Sequence, residues 1–416
     1  MQNQAPALWD RVQRYIPNGT QTLSKAPNRY VNGVYPKLLV KGLGCRVQDV
    51  EGKWYTDFIC GLGPIILGYH DEYVDNAVKE SIDSGQVLLS LPHPLEGEVA
   101  ELLNKYIPSA EKTKFFKTGS EAMSAAVKVA RAYTNRTKVL VCGYHGWHDW
   151  YTASTDKKAG IPKILEEYVS KFEYNNLEDL ENKLKSCDIA AVILEPVVYD
   201  WPNKDYLKEL ITYAHIYGAL VIFDEIVTGF RFGLGGVQKL YGVIPDLSCF
   251  SKAMGNGYPI AALVGKEEYM EVYERPDFFI SGTFGGDLIG LSAAKAVVKT
   301  LESTNVLGNM WMNGLILRNR FNELCKTLEL EDVECFGGPP RTRFDFPSIL
   351  HKSLFWQECV KRGILFGYSN FIQKCHTTSI IDNTLNVCED ALKIVKENWN
   401  NPKLEGDVPV EVFKRV

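Results

Sequence analysis

Four apolar residues, Leu220-Val221-Ile222-Phe223, lead into two adjacent carboxylates, Asp224 and Glu225. An acid at the end of a buried strand is costly unless it has a partner or a task. One such task is to sit beside the nitrogen of a cationic heterocycle and keep it protonated, so that the ring accepts electrons from a carbanion. Taken alone, the pair fits a strand end with solvated acids equally well. A second element follows 28 positions later, where Lys252 ends the short apolar run Leu247–Phe250 and precedes the flexible Met254-Gly255-Asn256-Gly257. A lone lysine there reads as a surface charge. Beside Asp224 it reads as an amine that condenses with an aldehyde, anchors a cofactor, and becomes a general base once substrate displaces it. Acid and amine together are what pyridoxal 5'-phosphate (PLP) chemistry needs.

Two further segments could complete such a site. Lys117-Thr118-Gly119-Ser120-Glu121-Ala122 has the form of a strand end, a glycine turn and a helix start, and helix N-termini attract phosphate through free N–H groups and the dipole. Ser120 reads equally as a helix N-cap, although Ser120 and Met123 do not complete a capping box. Gly143-Tyr144-His145-Gly146-Trp147-His148-Asp149 also follows an apolar run. Tyr144 could stack on a planar cofactor. A metal site from His145, His148 and Asp149 is the competing idea, and a single loop does not supply the supporting shell that metal ligands require.

These residues need strands to carry them. From about 112 to 265, short apolar runs (114–118, 138–142, 189–194, 220–224, 247–251 and 260–264) alternate with amphipathic stretches such as 120–133, 177–185 and 204–217. That alternation predicts an α/β fold with a largely parallel sheet flanked by helices, whose ligands lie at the carboxyl ends of the strands. A hairpin is expected around Glu51-Gly52-Lys53, and a long helix over 288–301. The C-terminal part predicts a small α+β domain with a strand near 333–336 and helices at 353–362 and 380–399. The domain expectation is an N-terminal segment, 1–50, joining the small domain; a large cofactor-binding domain, 51–300; and a small C-terminal domain, 301–416.

With 416 residues, 45% of them hydrophobic and 23% charged, the chain has room for a sizeable core in more than one domain. A formal charge of −5 and a pI near 5.9 argue against a nucleic-acid binder. No apolar stretch approaches the ~20 residues that span a bilayer, and no signal peptide stands at the N-terminus. The ten cysteines, Cys187 among them, form no C-x-x-C pair and read as reduced thiols of a cytoplasmic protein.

The segments T-G-S-E-A at 118–122, Y-H-G at 144–146, L-E-P-V at 194–197, F-D-E-I-V-T-G-F-R at 223–231, P-D-L-S-C-F-S-K at 245–252 and G-T-F-G-G at 282–286 resemble the class III aminotransferases in order and spacing. Within that class the chain is most similar to glutamate-1-semialdehyde aminomutase and its relatives, through I-P-N-G at 16–19, G-P-I-I-L-G at 63–68 and L-G-G-V-Q-K-L-Y-G at 234–242. The likeness covers about residues 10–300 and then fades. It implies PLP fold type I, with Lys252 as the Schiff-base lysine, Asp224 as the partner of the ring nitrogen and Tyr144 stacked on the ring. It also implies Gly119 and Ser120 at the phosphate, Ile226 on the other ring face, Glu195 near the cofactor, and Thr283 reaching the phosphate of a partner subunit, so that a homodimer shares its active sites.

The chain departs from the family in places that bear on substrate. Lys117-Thr118 stands for the usual Asn-Ser, Lys25 for an arginine that takes the substrate carboxylate, and Gly285-Gly286-Asp287 for Ser-Gly-Asn; an acid of a C-terminal loop is missing from 367–374. Lysine lacks the planar fork of arginine. These changes favour a two-substrate aminotransferase that takes an amino donor and a carbonyl acceptor, with an oxo-sugar or sugar nucleotide as the suggested acceptor. Lys25, Asp287, Arg341 and Arg343 are candidate pocket residues, the arginines having solvated strand residues as their alternative reading. The competing functions are an aminomutase and a PLP-fold binding protein without catalysis. A nucleotide-cofactor dehydrogenase would need G-x-G-x-x-G between strand and helix, and neither Gly61-Leu62-Gly63 nor Gly255-Asn256-Gly257 has that context.

Overall fold

In the computed structural model, residues 4–186 and 188–410 are described; Cys187 lies outside them. The chain forms two compact units, one from Met1–Asp71 with Val306–Val416, the other from Glu72–Asn305. In the first, β1 (Leu39–Leu43), β2 (Arg46–Asp49) and β3 (Trp54–Asp57) form an antiparallel meander. The second holds β4 (Lys112–Phe116), β5 (Lys138–Cys142), β6 (Val169–Lys171), β7 (Ile189–Leu194), β8 (Leu220–Asp224), β9 (Leu247–Phe250) and β10 (Ala261–Gly265). The chain then returns to the first unit with β11 (Glu334–Gly338), β12 (Arg341–Asp345), β13 (Ile364–Leu365) and β14 (Asn370–Phe371).

The seven strands of the Glu72–Asn305 unit make one sheet in the order β4-β10-β9-β8-β7-β5-β6. Only β10 runs against the rest. Every residue of β7, β8, β9 and β10 is buried, which is why these strands read as unbroken apolar runs: a sheet covered on both faces cannot alternate. The helix Gly119–Thr134 packs Ala122, Met123, Ala126, Val127 and Ala130 into the core over this sheet. It starts in a capping box, Thr118 with Glu121, and ends at Asn135 in the left-handed region. The N-cap is therefore Thr118 rather than Ser120, because it is the Thr118 hydroxyl that receives the Glu121 amide.

Asp246 secures the opposite end of the sheet from the strand carboxyl ends. Fully buried just before β9, it accepts from the Val221 amide at 2.7 Å and His215 Nε2 at 2.9 Å, with Lys266 Nζ at 3.3 Å from its other oxygen.

The other unit carries a four-stranded sheet, β1-β2-β3-β13, and a three-stranded one, β11-β12-β14. The expected hairpin is there as β2 and β3. Because β3 pairs in parallel with β13, residues 51–71 belong with the C-terminal segment, and the boundary falls at Asp71 instead of at residue 50. Phe321, Phe344, Phe355 and Phe366 form its aromatic core. Arg341 and Arg343, two apart on β12, are each only 8% exposed. They are not the solvated pair that surface statistics favour.

Candidate active site

Five strand ends of the Glu72–Asn305 unit deliver side chains to one edge of its sheet. The pairing Cys142↔Leu194 and Leu194↔Phe223 puts the ends of β5, β7 and β8 level, and Asp224↔Cys249 adds β9. β4 delivers Gly119 and Ser120, β5 delivers Tyr144 and His145, β7 delivers Glu195, β8 delivers Asp224 and Ile226, and β9 delivers Lys252.

Asp224 is 3% exposed, and both of its oxygens are engaged. Oδ2 pairs with His145 Nδ1 at 2.8 Å and Oδ1 accepts from the Ile226 amide at 3.1 Å. His145 is itself held by the Cys142 carbonyl, 3.1 Å from Nε2. A carboxylate offers about four lone-pair positions, so this one is aimed and still has room for another donor. Sequence reasoning weighed His145 only as a metal ligand. In the structure it orients Asp224, while His148 Nδ1 meets Ser124 Oγ at 2.6 Å and Asp149 opens the short helix Asp149–Thr152. Among the described residues no cluster of three metal-ligating side chains occurs. The signal that could have found His145 was its place directly after a candidate ring-stacking tyrosine at a strand end.

Glu225, the other acid, points elsewhere. It accepts from the Thr228 hydroxyl and from the Val237 and Gln238 amides, both at 2.9 Å, in a fully buried pocket. Burial pushes its carboxyl above the usual range, against those three donors. Lys252 sits at φ 46°, a left-handed backbone that is sparsely populated by residues other than glycine and that clusters at functional sites. The turn is fixed by Ser251, whose hydroxyl donates to the Ile260 carbonyl at 2.8 Å.

The turn after β4 forms a close-walled cradle. Among the described residues, neither the Gly119 and Ser120 amides nor the Ser120 hydroxyl has a hydrogen-bond partner. A Cβ at Gly119 would lie 2.5 Å from Ile226 Cδ1, and one at Gly146 would lie 2.4 Å from Ser120 Oγ. These walls are shaped by glycines, with two free amides and a hydroxyl at a 16-residue helix N-terminus. The donor set fits a phosphate, and the buried, oriented acid fits a ring nitrogen. Glu195 Oε1 accepts from the Tyr144 amide at 3.0 Å, so it places the Tyr144 backbone. Tyr144 is 48% exposed, and its ring meets that of Tyr151 edge-on at 5.6 Å.

Thr283 lies in an exposed stretch beside Phe284, which is 59% exposed. Asp287 caps the helix Leu288–Ser303 and is ion-paired with Lys117. Lys25, Arg341 and Arg343 belong to the other unit, where Arg341 Nε is 3.5 Å from Ser369 Oγ and Arg343 is 3.8 Å from Asp345.

The family model for class-III aminotransferases matches residues 30–367. The chain belongs to that family. The match runs on past residue 300, where the motif likeness fades. The enzyme is 41% identical to a 3-aminobutyryl-CoA aminotransferase of Cloacimonas acidaminovorans, over 72% of this chain and 73% of the relative. It is 33% identical to a glutamate-1-semialdehyde 2,1-aminomutase of Archaeoglobus fulgidus, over 86% of this chain and 93% of that one. Among solved structures, the FumI protein of Sphingopyxis sp. MTA144, determined with PLP, superposes with a TM-score of 0.89 at 25% identity, covering 96% of this chain and 98% of that one. The fold is thus PLP fold type I, and the enzyme is a PLP-dependent aminotransferase or aminomutase. No helix among its described residues is long and apolar enough to cross a membrane.

Proposed function

We propose that the enzyme is a two-substrate aminotransferase in which Asp224 and Lys252 handle the protons of the reaction. The observation that carries this reading is the pairing of β8 with β9, which sets a buried, doubly hydrogen-bonded Asp224 and a left-handed Lys252 at adjacent strand ends. Bound PLP supplies an electron sink for the carbon that loses a proton. Asp224, aimed by His145, would hold the ring nitrogen of the bound cofactor. Lys252 would anchor the aldehyde end of the cofactor, and its amine, when free, would serve as the base that holds the proton taken from the substrate carbon. Gly119 and Ser120 hold the phosphate, Tyr144 and Ile226 flank the ring, and Thr283 completes the phosphate site of a second subunit in a cytoplasmic homodimer.

For the amino donor, a β-amino acyl thioester comes first in this reading. The support is the 41% identity with the 3-aminobutyryl-CoA enzyme, together with the lysine at position 25, which cannot grip a free carboxylate with two prongs. An oxo-sugar or sugar-nucleotide acceptor draws no support from these two relatives. Lys25, Arg341 and Arg343 stay candidates for the substrate side, whereas Asp287 already serves a helix cap and an ion pair. The second reading, an aminomutase, is favoured by the Archaeoglobus relative. Adding 3-aminobutyryl-CoA or glutamate alone and following the cofactor absorbance separates them. Full conversion to the amine form with release of a keto product supports transamination; isomerisation of one amino-aldehyde without a second substrate replaces it with the mutase.

A further inference from the structure

Lys117 is the residue just before the N-cap of the cradle helix, and it is tied from both ends. Its amide donates to Glu121 Oε2 at 3.0 Å, beside the Thr118 amide, which reaches the same oxygen at 2.8 Å. Its ammonium donates to the Pro259 carbonyl at 3.2 Å and pairs with Asp287 Oδ2. The side chains of the pair are 19% and 16% exposed. Asp287 in turn receives the Ile289 and Gly290 amides on Oδ1, each at 3.1 Å. A Cβ at Gly290 would stand 2.9 Å from both Lys117 Nζ and the Pro259 oxygen, so the glycine leaves the space that the ammonium fills.

Three segments meet at this one cation. They are the turn that offers the Gly119 and Ser120 amides, the connection that runs from Lys252 through Pro259 into β10, and the start of the helix Leu288–Ser303, just after the stretch bearing Thr283. We propose that Lys117 is a positioning residue for the phosphate end of the cofactor, its clamp between Pro259 and Asp287 holding the Thr118–Ser120 turn in register with the segment that carries Lys252. This rests on the reading of that turn as the phosphate cradle. Ion-paired as it is, Lys117 acts through placement: small displacements of a pre-set donor array weaken the grip on a ligand out of proportion to their size. Burial draws the ammonium below its ordinary value, to about 8, against the opposing pull of Glu121.

The test uses Lys117→Met, which keeps the length of the side chain and loses the pairing, and Asp287→Asn, which keeps a helix cap and loses the charge. The double variant is the third protein. PLP and pyridoxal, which lacks the phosphate, are titrated onto each apo-protein, and the melting temperature of each apo-protein is recorded. Each single change is expected to raise the PLP dissociation constant about tenfold, equivalent to ~1.4 kcal/mol. Pyridoxal binding should stay unchanged, and the double variant should be no worse than the singles, since both break the same clamp. Equal losses for PLP and pyridoxal, strictly additive losses, or an unaltered PLP constant would overturn the role of Lys117. A wild-type chain that bound PLP no better than pyridoxal would instead sink the cradle reading itself. Should Lys117→Met fail to fold, Asp287→Asn alone reports the same ratio.

Discussion

Replacing Gly119 with alanine tests the cradle at its tightest point. The backbone there is not in the left-handed region, so the substitution is purely a question of space. The new methyl would lie 2.5 Å from Ile226 Cδ1, 3.1 Å from Cγ1 and 3.2 Å from Cγ2, where carbon atoms prefer about 3.5–4.0 Å. All three contacts are short, so turning one side-chain torsion only exchanges one clash for another. Ile226 has to shift as a unit, and its amide is the donor to Asp224 Oδ1, so the shift reaches the carboxylate. Overpacking of this kind costs about 1–3 kcal/mol. The cost can fall on the apo-protein, if the clash persists, or on cofactor binding, if Ile226 yields into the space of the ring. Only the sum is fixed. If it falls wholly on binding, the PLP constant weakens roughly 5- to 150-fold. Urea unfolding of the apo-protein and PLP titration are measured together, and Ile226→Ala in the same background should recover most of the loss by removing the three crowded atoms. A Gly119→Ala protein with unchanged apo stability and unchanged PLP affinity would refute the steric reasoning.

Three other outcomes are open to measurement. Lys252→Ala should lose turnover and the borohydride-fixed label on the chain, and mass spectrometry that finds the label on another lysine would remove Lys252 from its role. Burial pushes the Asp246 carboxyl up, but His215, the Val221 amide and Lys266 outweigh it and hold the group below the ordinary carboxylate range. Its stabilising contribution is therefore present above the unfolded value of about 3.9 and lost as pH falls through the lower folded value. Asp246→Asn should cost ~3 kcal/mol at neutral pH and flatten the acid limb of stability, which urea titrations at several pH values would show or exclude. Mixing inactive Lys252→Ala chains with inactive Thr283→Trp chains should restore part of the activity through one intact site per heterodimer, and no recovery despite proven exchange of subunits would count against shared sites.

The sheet was legible because burial on both faces leaves an unmistakable trace. Runs such as Ile189–Leu194 and Leu220–Phe223 have no polar residue to confuse them, and their helices repeat between them. What escaped notice was short or shielded by context. Val169–Lys171, Ile364–Leu365 and Asn370–Phe371 are strands of two or three residues, too brief for any periodicity to register. Residues 51–71 looked continuous with the large domain because the strand that claims β3, Ile364–Leu365, lies some 300 positions away in sequence. The burial of Arg341 and Arg343 was hidden for a related reason: a local reading sees arginines after a turn, and only tertiary packing decides whether such side chains meet water.

The two acids ending β8 show how far local pattern can carry a chemical assignment. Adjacent in sequence, Asp224 and Glu225 take different partners and so different tasks. Their composition is nearly identical and their surroundings are not. Glu225 is enclosed by the turn 228–238, where a Cβ at Gly236 would strike its carboxyl group at 2.5 Å, and it spends its oxygens on that turn's own donors. Asp224 meets instead an imidazole delivered by a different strand. One acid therefore builds the loop, and the other, its orientation set by His145 and the Ile226 amide, is available to a ligand. The distinction lies in which strands stand side by side, and β5, β7 and β8 are adjacent only because the crossovers between them bring β7 to the middle.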